Sequence, residues 1–218
     1  MTTPTIKDIS LARVKSGSIG HLNDLSIRAL LISIEKRKKS PKTKFRDKLL
    51  IMFLIDSCMR ISEALSITYG HILNYEQDRG IRVLGKGAKF RIVSLSRNLL
   101  SDLDKYCSAK GLKPKDRIFP FTRDNAFKII KQTFKEAKIQ KPEGVGYVHI
   151  FRHTGLLLRL EKSRHPQAIM NQAGHSSYNM MFKYLRTLDS REGLSIMNQV
   201  NIDWDSYTQE QSTAIVVD

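Results

Sequence analysis

The sequence predicts a mainly α-helical fold carrying one small antiparallel β-sheet. Apolar residues recur at helical spacing through most of the chain. A single pair of short β-branched-rich runs, Ile81–Leu84 and Phe90–Leu95, departs from that period, and Gly85-Lys86-Gly87-Ala88 between them reads as a hairpin turn. The 218 residues, 41% of them hydrophobic, hold no internal repeat, low-complexity tract or second core-sized segment, which suits one domain with appendages.

In chain order, residues 1–20 mix Thr, Ser and Gly without periodicity and read as a flexible arm. A helix is expected from about His21 to Lys39, with Leu22, Leu25, Ala29 and Ile32 at helical spacing. The run Lys36-Arg37-Lys38-Lys39 and then Ser40-Pro41 would end it. Phe45–Ser57 is apolar enough at its centre to be a core helix, and Arg60–Ile67 reads as a further short one. After the hairpin, Ser96 can cap a helix to about Lys110, closed by Gly111. Thr122 caps a helix Arg123–Ile139, in which Phe127, Ile130, Phe134 and Ala137 form a core-facing stripe. Lys128, Lys131, Lys135 and Lys138 repeat that spacing one residue later as a basic ridge. Such a ridge suits either a solvated face or contact with phosphates. A helix from Pro166 would end at Gly174.

Formal charge is +16, from 37 Lys and Arg against 21 Asp and Glu. Residues 185–218 hold two Arg and six acids, net −4, so residues 1–184 carry +20. A basic body with an acidic tail points to a polyanionic partner. Cys58 and Cys107 make neither a disulfide framework nor a metal set and fit a reducing compartment. No apolar run reaches the roughly 18 residues of a membrane span, and no apolar secretory core opens the chain, so a soluble, cytoplasmic protein is expected.

Six polar residues stand out by their settings. Arg60 lies in Cys58-Met59-Arg60-Ile61-Ser62-Glu63-Ala64-Leu65, and Lys86 in Gly85-Lys86-Gly87. His149 and Arg152 lie in His149-Ile150-Phe151-Arg152-His153-Thr154. His175 lies in Ala173-Gly174-His175-Ser176, and Tyr184 in Met181-Phe182-Lys183-Tyr184-Leu185. Breaking a phosphodiester requires charge on the non-bridging oxygens, an in-line nucleophile and a proton for the leaving oxygen. Arg60 and Arg152 suit the first task, because a planar guanidinium stays charged and binds phosphate oxygens in pairs. His149 and Arg152 are spaced to share one helical face, where His149 could accept a proton or steady the phosphate. Lys86 on a glycine-flanked tip can deliver a proton, with Lys89 the runner-up. Glu63, one turn after Arg60, is placed to orient it or to form an ordinary helix ion pair. Tyr184 and Tyr178 both compete as nucleophile.

The order and spacing of these motifs, from about Leu22 to Leu188, resemble the tyrosine recombinases of the phage-integrase family. The resemblance implies that family's catalytic-domain fold over residues 21–188. It implies site-specific recombination of double-stranded DNA through a 3′-phosphotyrosyl intermediate, with no cofactor and no metal. The nine-residue separation from His175 to Tyr184 matches the family and selects Tyr184 over Tyr178. Arg60, Lys86, His149, Arg152, His175 and Tyr184 become the catalytic set, with Glu63 in support and the lysine ridge on DNA. Family members usually carry a separate helical core-binding domain in front, which this chain is expected to lack. The residues after Thr154 are Gly155-Leu156-Leu157 in place of the common small-aromatic-alanine pattern. A monomer in solution that forms a homo-tetramer on DNA, at the nucleoid and away from membranes, is expected, with the acidic tail 189–218 packing in cis or exchanged between protomers. A type IB topoisomerase-like enzyme and a non-catalytic DNA-binding descendant are the alternatives.

Overall fold

A computed structural model describes residues 20–78, 80–84, 90–163 and 165–174. All lie within Met1–Thr187, the first of two compact units. Lys86, His175, Tyr184, almost all of the N-terminal arm and the whole acidic tail fall outside the described residues.

The order is α1 (Asp24–Glu35), α2 (Pro41–Ser57), α3 (Ile61–Ala64), α4 (Tyr69–Leu73), α5 (Tyr75–Asp78), β1 (Ile81–Leu84), β2 (Phe90–Val93), α6 (Arg97–Ala109), α7 (Arg123–Glu136), α8 (His149–Ser163) and α9 (Pro166–Ala173). The two strands pair antiparallel, with Ile81 opposite Val93 and Leu84 opposite Phe90. The expected fold class, mainly α with a small antiparallel sheet, is what the chain adopts.

Helix α2 is the axis of the fold. Leu49, Leu50, Ile51, Phe53 and Leu54 are all buried, and α1, α6 and α8 pack around it. Its start corrects the sequence expectation. Pro41 does not merely end the preceding helix; it opens α2 at the first turn behind a Ser40 cap, where the missing N–H costs nothing. Helix α1 begins late, because the Asn23 side chain accepts from the Ser26 N–H. Within the basic run after α1, Arg37 turns inward. Its Nη1 donates to the fully buried Asp47 of α2, its Nε pairs with Glu136 and its Nη2 donates to Thr133 of α7. Arg46 also pairs with Asp47 at 2.7 Å, so the turn after α1 and helices α2 and α7 share one buried charge network.

Helix ends follow local chemistry. After α6, Gly111 at φ 65° lets its N–H reach the Ser108 carbonyl while the Leu112 N–H reaches Cys107, a Schellman closure. The same closure ends α7 early. The Lys138 and Ile139 N–H groups reach the Lys135 and Phe134 carbonyls, and Lys138 takes the left-handed position at φ 54°. The expected helix to Ile139 therefore stops at Glu136. Three lysines of the ridge ride the helix and Lys138 lies beyond it, all four exposed. The buried stripe is Ala126, Ile130, Thr133 and Phe134; Phe127 is 41% exposed and meets Tyr147 edge-on. Among the described residues no helix is long and apolar enough to cross a membrane.

Candidate active site

The site is built on the C-terminal end of α2. A helix leaves its last carbonyls without intrahelical partners, and here side chains of α8 and α9 supply them. Arg159 donates from Nε to the Asp56 carbonyl at 2.8 Å and from Nη2 to the Asp56 carboxylate at 2.7 Å. Gln172 donates to the Ser57 carbonyl at 3.2 Å, and Arg152 to the Cys58 carbonyl at 2.6 Å. Cys58 sits in the left-handed region at φ 54°, so the chain breaks out of α2 there and presents Arg60 two residues later. Burial pushes the Cys58 thiol up to about 12, so it is an inert packing group. Close approach of α8 makes this geometry possible. A Cβ on Gly155 would stand 1.8 Å from the Ile55 carbonyl oxygen, so only glycine fits.

Arg152, a residue only 6% exposed, also donates from Nη2 to the Ala173 carbonyl at 2.6 Å. Its guanidinium bridges the end of α2 to the end of α9, one residue before Gly174, whose φ of 66° stops α9 as expected. His149 is the first residue of α8 and is exposed, one turn from Arg152 on the same helix. His153 is half-buried; burial lowers its pKa, the Gly20 backbone opposes that, and nearby His149, Arg152 and His21 add to it. Thr154 accepts the Leu22 N–H at 2.9 Å, tying the start of the fold to the same helix.

Arg60 does not lie within a helix reaching Ile67, as expected, but is the N-cap of the shorter α3. Glu63 accepts the Arg60 backbone N–H at 2.8 Å and its Nη1 at 3.1 Å, which goes beyond an ordinary helix ion pair. The other partner of Glu63 is Arg91 of β2, whose two Nη groups donate to its two oxygens at 3.1 and 2.7 Å. Burial would raise the Glu63 carboxyl. The Arg91 hydrogen bonds and charge, with the backbone and side-chain hydrogen bonds from Arg60, outweigh it and hold the carboxyl below its ordinary value.

Sequence reasoning missed Arg91, Arg159 and Gln172. Gln172 packs α9 on the sheet, accepting from the Ser94 N–H at 2.9 Å and donating to the Ser94 carbonyl at the same length. A charged residue inside the apolar run Phe90–Leu95 was the available signal for Arg91; nothing in the sequence marks Arg159 or Gln172. Among the described residues no group of three or more His, Cys, Asp and Glu could hold a metal ion.

The phage integrase family profile matches residues 24–191, more than three quarters of the chain. The chain belongs to the phage integrase family. Relatives of this integrase-family chain include the tyrosine recombinase XerH of Campylobacter jejuni, 30% identical over 140 residues, which cover 62% of this chain and 39% of that protein. The tyrosine recombinase XerC of Rickettsia prowazekii is 31% identical over 174 residues, 75% of this chain and 55% of that one. The chain spans about half the length, or less, of these curated relatives. A crystal structure of XerH site-specific recombinase bound to palindromic difH substrate, in a post-cleavage complex, superimposes with TM-score 0.63 at 26% identity, over 89% of this chain and 58% of that one. The catalytic domain of bacteriophage HP1 integrase shares the fold at TM-score 0.61 and 20% identity, covering 84% of this chain and 96% of that domain.

Proposed function

We propose that residues 21–188 form the catalytic domain of a site-specific tyrosine recombinase that cuts and rejoins double-stranded DNA. The observation that carries this reading is the convergence of Arg60 and Arg152. They come from distant motifs, yet Arg152 is bonded to the carbonyl of Cys58, two residues before Arg60 and 94 positions before itself. Two guanidiniums fixed at one helix end form a phosphate clamp, and Glu63 sets the orientation of the outer one.

On this clamp the Tyr184 hydroxyl attacks the scissile phosphorus. The bond from phosphorus to the 5′ oxygen breaks, and a 3′-phosphotyrosyl link and a 5′ hydroxyl result. Lys86 gives the leaving oxygen its proton, with Lys89 the runner-up. His149 takes the tyrosine proton or steadies the phosphate, and His175 supports the same oxygens. The covalent link keeps the energy of the broken bond, so the reverse attack by a 5′ hydroxyl reseals DNA without a cofactor. Lys128, Lys131 and Lys135 on α7, with Lys138 beyond it, are exposed and hold DNA backbone. Assembly as a homo-tetramer on paired sites, at the nucleoid, and as a monomer off DNA completes the reading; tail 189–218 joins protomers or packs on its own domain.

The test is recombination against relaxation. Plasmids carrying two copies of DNA drawn from beside the reading frame should yield deletion or inversion products, and a plasmid without such DNA should stay supercoiled. Efficient relaxation of the plasmid lacking any such site, with no exchange on the paired-site plasmid, would replace this reading by a topoisomerase.

A further inference from the structure

The clamp on Glu63 leaves a question the catalytic set does not answer: what holds Arg60, whose side chain is 41% exposed, in one place. We propose that Arg91 is a positioning residue for strand cleavage, fixing Glu63 so that Glu63 in turn fixes Arg60 against the scissile phosphate. This rests on the recombinase reading above.

Strand register provides the first support. Arg91 lies opposite Val83, on the side of the sheet that Ile81, Val83 and Val93 bury, and its side chain is only 10% exposed. A guanidinium brought in there needs a partner, and Glu63 meets it with both oxygens. The bonding is shared evenly. Glu63 Oε1 accepts from Nη1 of Arg91 and Nη1 of Arg60, while Oε2 accepts from Nη2 of Arg91 and the backbone N–H of Arg60. With four bonds accepted, the carboxylate has one orientation. Arg60 is held at its backbone and at Nη1, while its Nε and Nη2 have no protein partner among the described residues, which is the arrangement a phosphate requires.

The same side chain reaches a third segment. Arg91 Nε donates to the Gln172 carbonyl at 3.2 Å, beside the Ala173 carbonyl that Arg152 binds. Its stem lies against Gly174, where a Cβ would stand 2.9 Å from the Arg91 Cδ. Arg91 therefore joins the Arg60 turn, strand β2 and the end of α9, whose cap Gly174 is one residue before His175 in the chain. The groups facing Glu63 are Arg60 from the α3 cap and Arg91 from β2, and the recess beside it is also lined by His71 and Arg82. If Arg91 is lost, the half-buried carboxylate loses two charged donors and takes up a proton more readily, and a protonated Glu63 releases Arg60.

The experiment is single-turnover cleavage of a nicked duplex by the full chain, measured across pH for Arg91→Gln, Arg91→Lys, Glu63→Gln and the double variant Arg91→Gln/Glu63→Gln. Arg91→Gln should slow cleavage about tenfold or more, leave the Kd for uncut duplex within about twofold, and move the acid limb of the rate profile to higher pH. Arg91→Lys, which keeps the charge without the fork, should recover part of the rate. In the Glu63→Gln background the Arg91→Gln change should cost less than about twofold, because its effect passes through Glu63. An unmoved acid limb, or an equal loss with and without Glu63, would overturn the proposal and leave Arg91 a structural residue. A salt dependence of binding that falls by one phosphate in Arg91→Gln would overturn it too, as direct DNA contact. Failure of the parent chain to cleave would sink the recombinase reading itself. A carboxyl NMR titration of Glu63 would then still decide whether Arg91 holds it.

Discussion

Arg60 and Arg152 would grip the same phosphate, yet removing them should cost the fold differently. Arg60 is a partly exposed cap residue tied to Glu63, so Arg60→Ala should change stability by no more than about 0.5–1 kcal/mol while abolishing cleavage. Arg152 is buried and satisfies the Cys58 and Ala173 carbonyls. Arg152→Ala should lose cleavage and also stability, by roughly 1–3 kcal/mol for each carbonyl left unpaired. Urea unfolding of both variants beside the cleavage assay checks this, and equal stability would contradict the capping role given to Arg152. Histidine 153 gives a pH signature. Its folded pKa is lowered, so the unfolded chain binds the proton first as pH falls. That part of stability is intact above about 6.5, the ordinary histidine value, and is lost as pH drops toward the folded pKa. Glu63, also lowered, contributes stability above its ordinary carboxylate value and loses it only at more acid pH. Denaturation across pH 7 to 5 should show the first loss, and His153→Gln should flatten it.

At the level of elements, the tightest constraint is the crossing of α8 over the end of α2. Gly155→Ala places a methyl group into the Ile55 carbonyl, so it should destabilise by about 3 kcal/mol or more and lower Tm by several degrees. A Tm unchanged in Gly155→Ala would mean the helices are not this close. The ridge on α7 is tested by salt. Lys128→Gln with Lys131→Gln should reduce the slope of log binding against log salt by about two phosphate equivalents, and an unchanged slope returns the ridge to solvated surface. Element existence was legible in the sequence, because core helices announce themselves by period: α2, α6 and α7 are where their apolar residues place them. Boundaries were less so. Pro41 opens a helix rather than closing one, and Lys138 adopts a conformation usually left to glycine, since the Schellman bonds and not the residue's own preference set the end. Strand β2 inverts its apparent pattern. Phe90 and Ile92 are 58% and 46% exposed while Arg91 faces inward, because the ion pair with Glu63 decides the register.

Across the whole molecule, the candidate site residues that sequence singled out are those that the proposed chemistry places in a recognisable local motif. Arg60, Glu63, His149 and Arg152 could be picked out because each sits in a short signature. The residues that bring those signatures together could not. Arg159, Gln172 and Arg91 act on carbonyls and a carboxylate 28 to 115 positions away, and long-range partners leave no local trace. The buried network of Arg37, Asp47 and Glu136 belongs to the same class, hidden inside what reads as a solvated basic run. Asp47→Ala takes from the buried Arg37 one of its two carboxylate partners and leaves it Glu136, so it should cost up to about 3–5 kcal/mol, measurable as a lower urea midpoint. The central claim is that the arginine clamp serves a tyrosine nucleophile at position 184. The most direct measurement is covalent trapping on nicked duplexes drawn from the DNA beside the reading frame, in the presence of a metal chelator, with the adduct isolated under denaturing conditions and mapped by mass spectrometry. The account predicts a 3′-phosphotyrosyl peptide containing Tyr184, present with Tyr178→Phe and absent with Tyr184→Phe, while non-covalent binding by Tyr184→Phe persists. An adduct that survives Tyr184→Phe, or that forms only when a divalent metal is supplied, would contradict it.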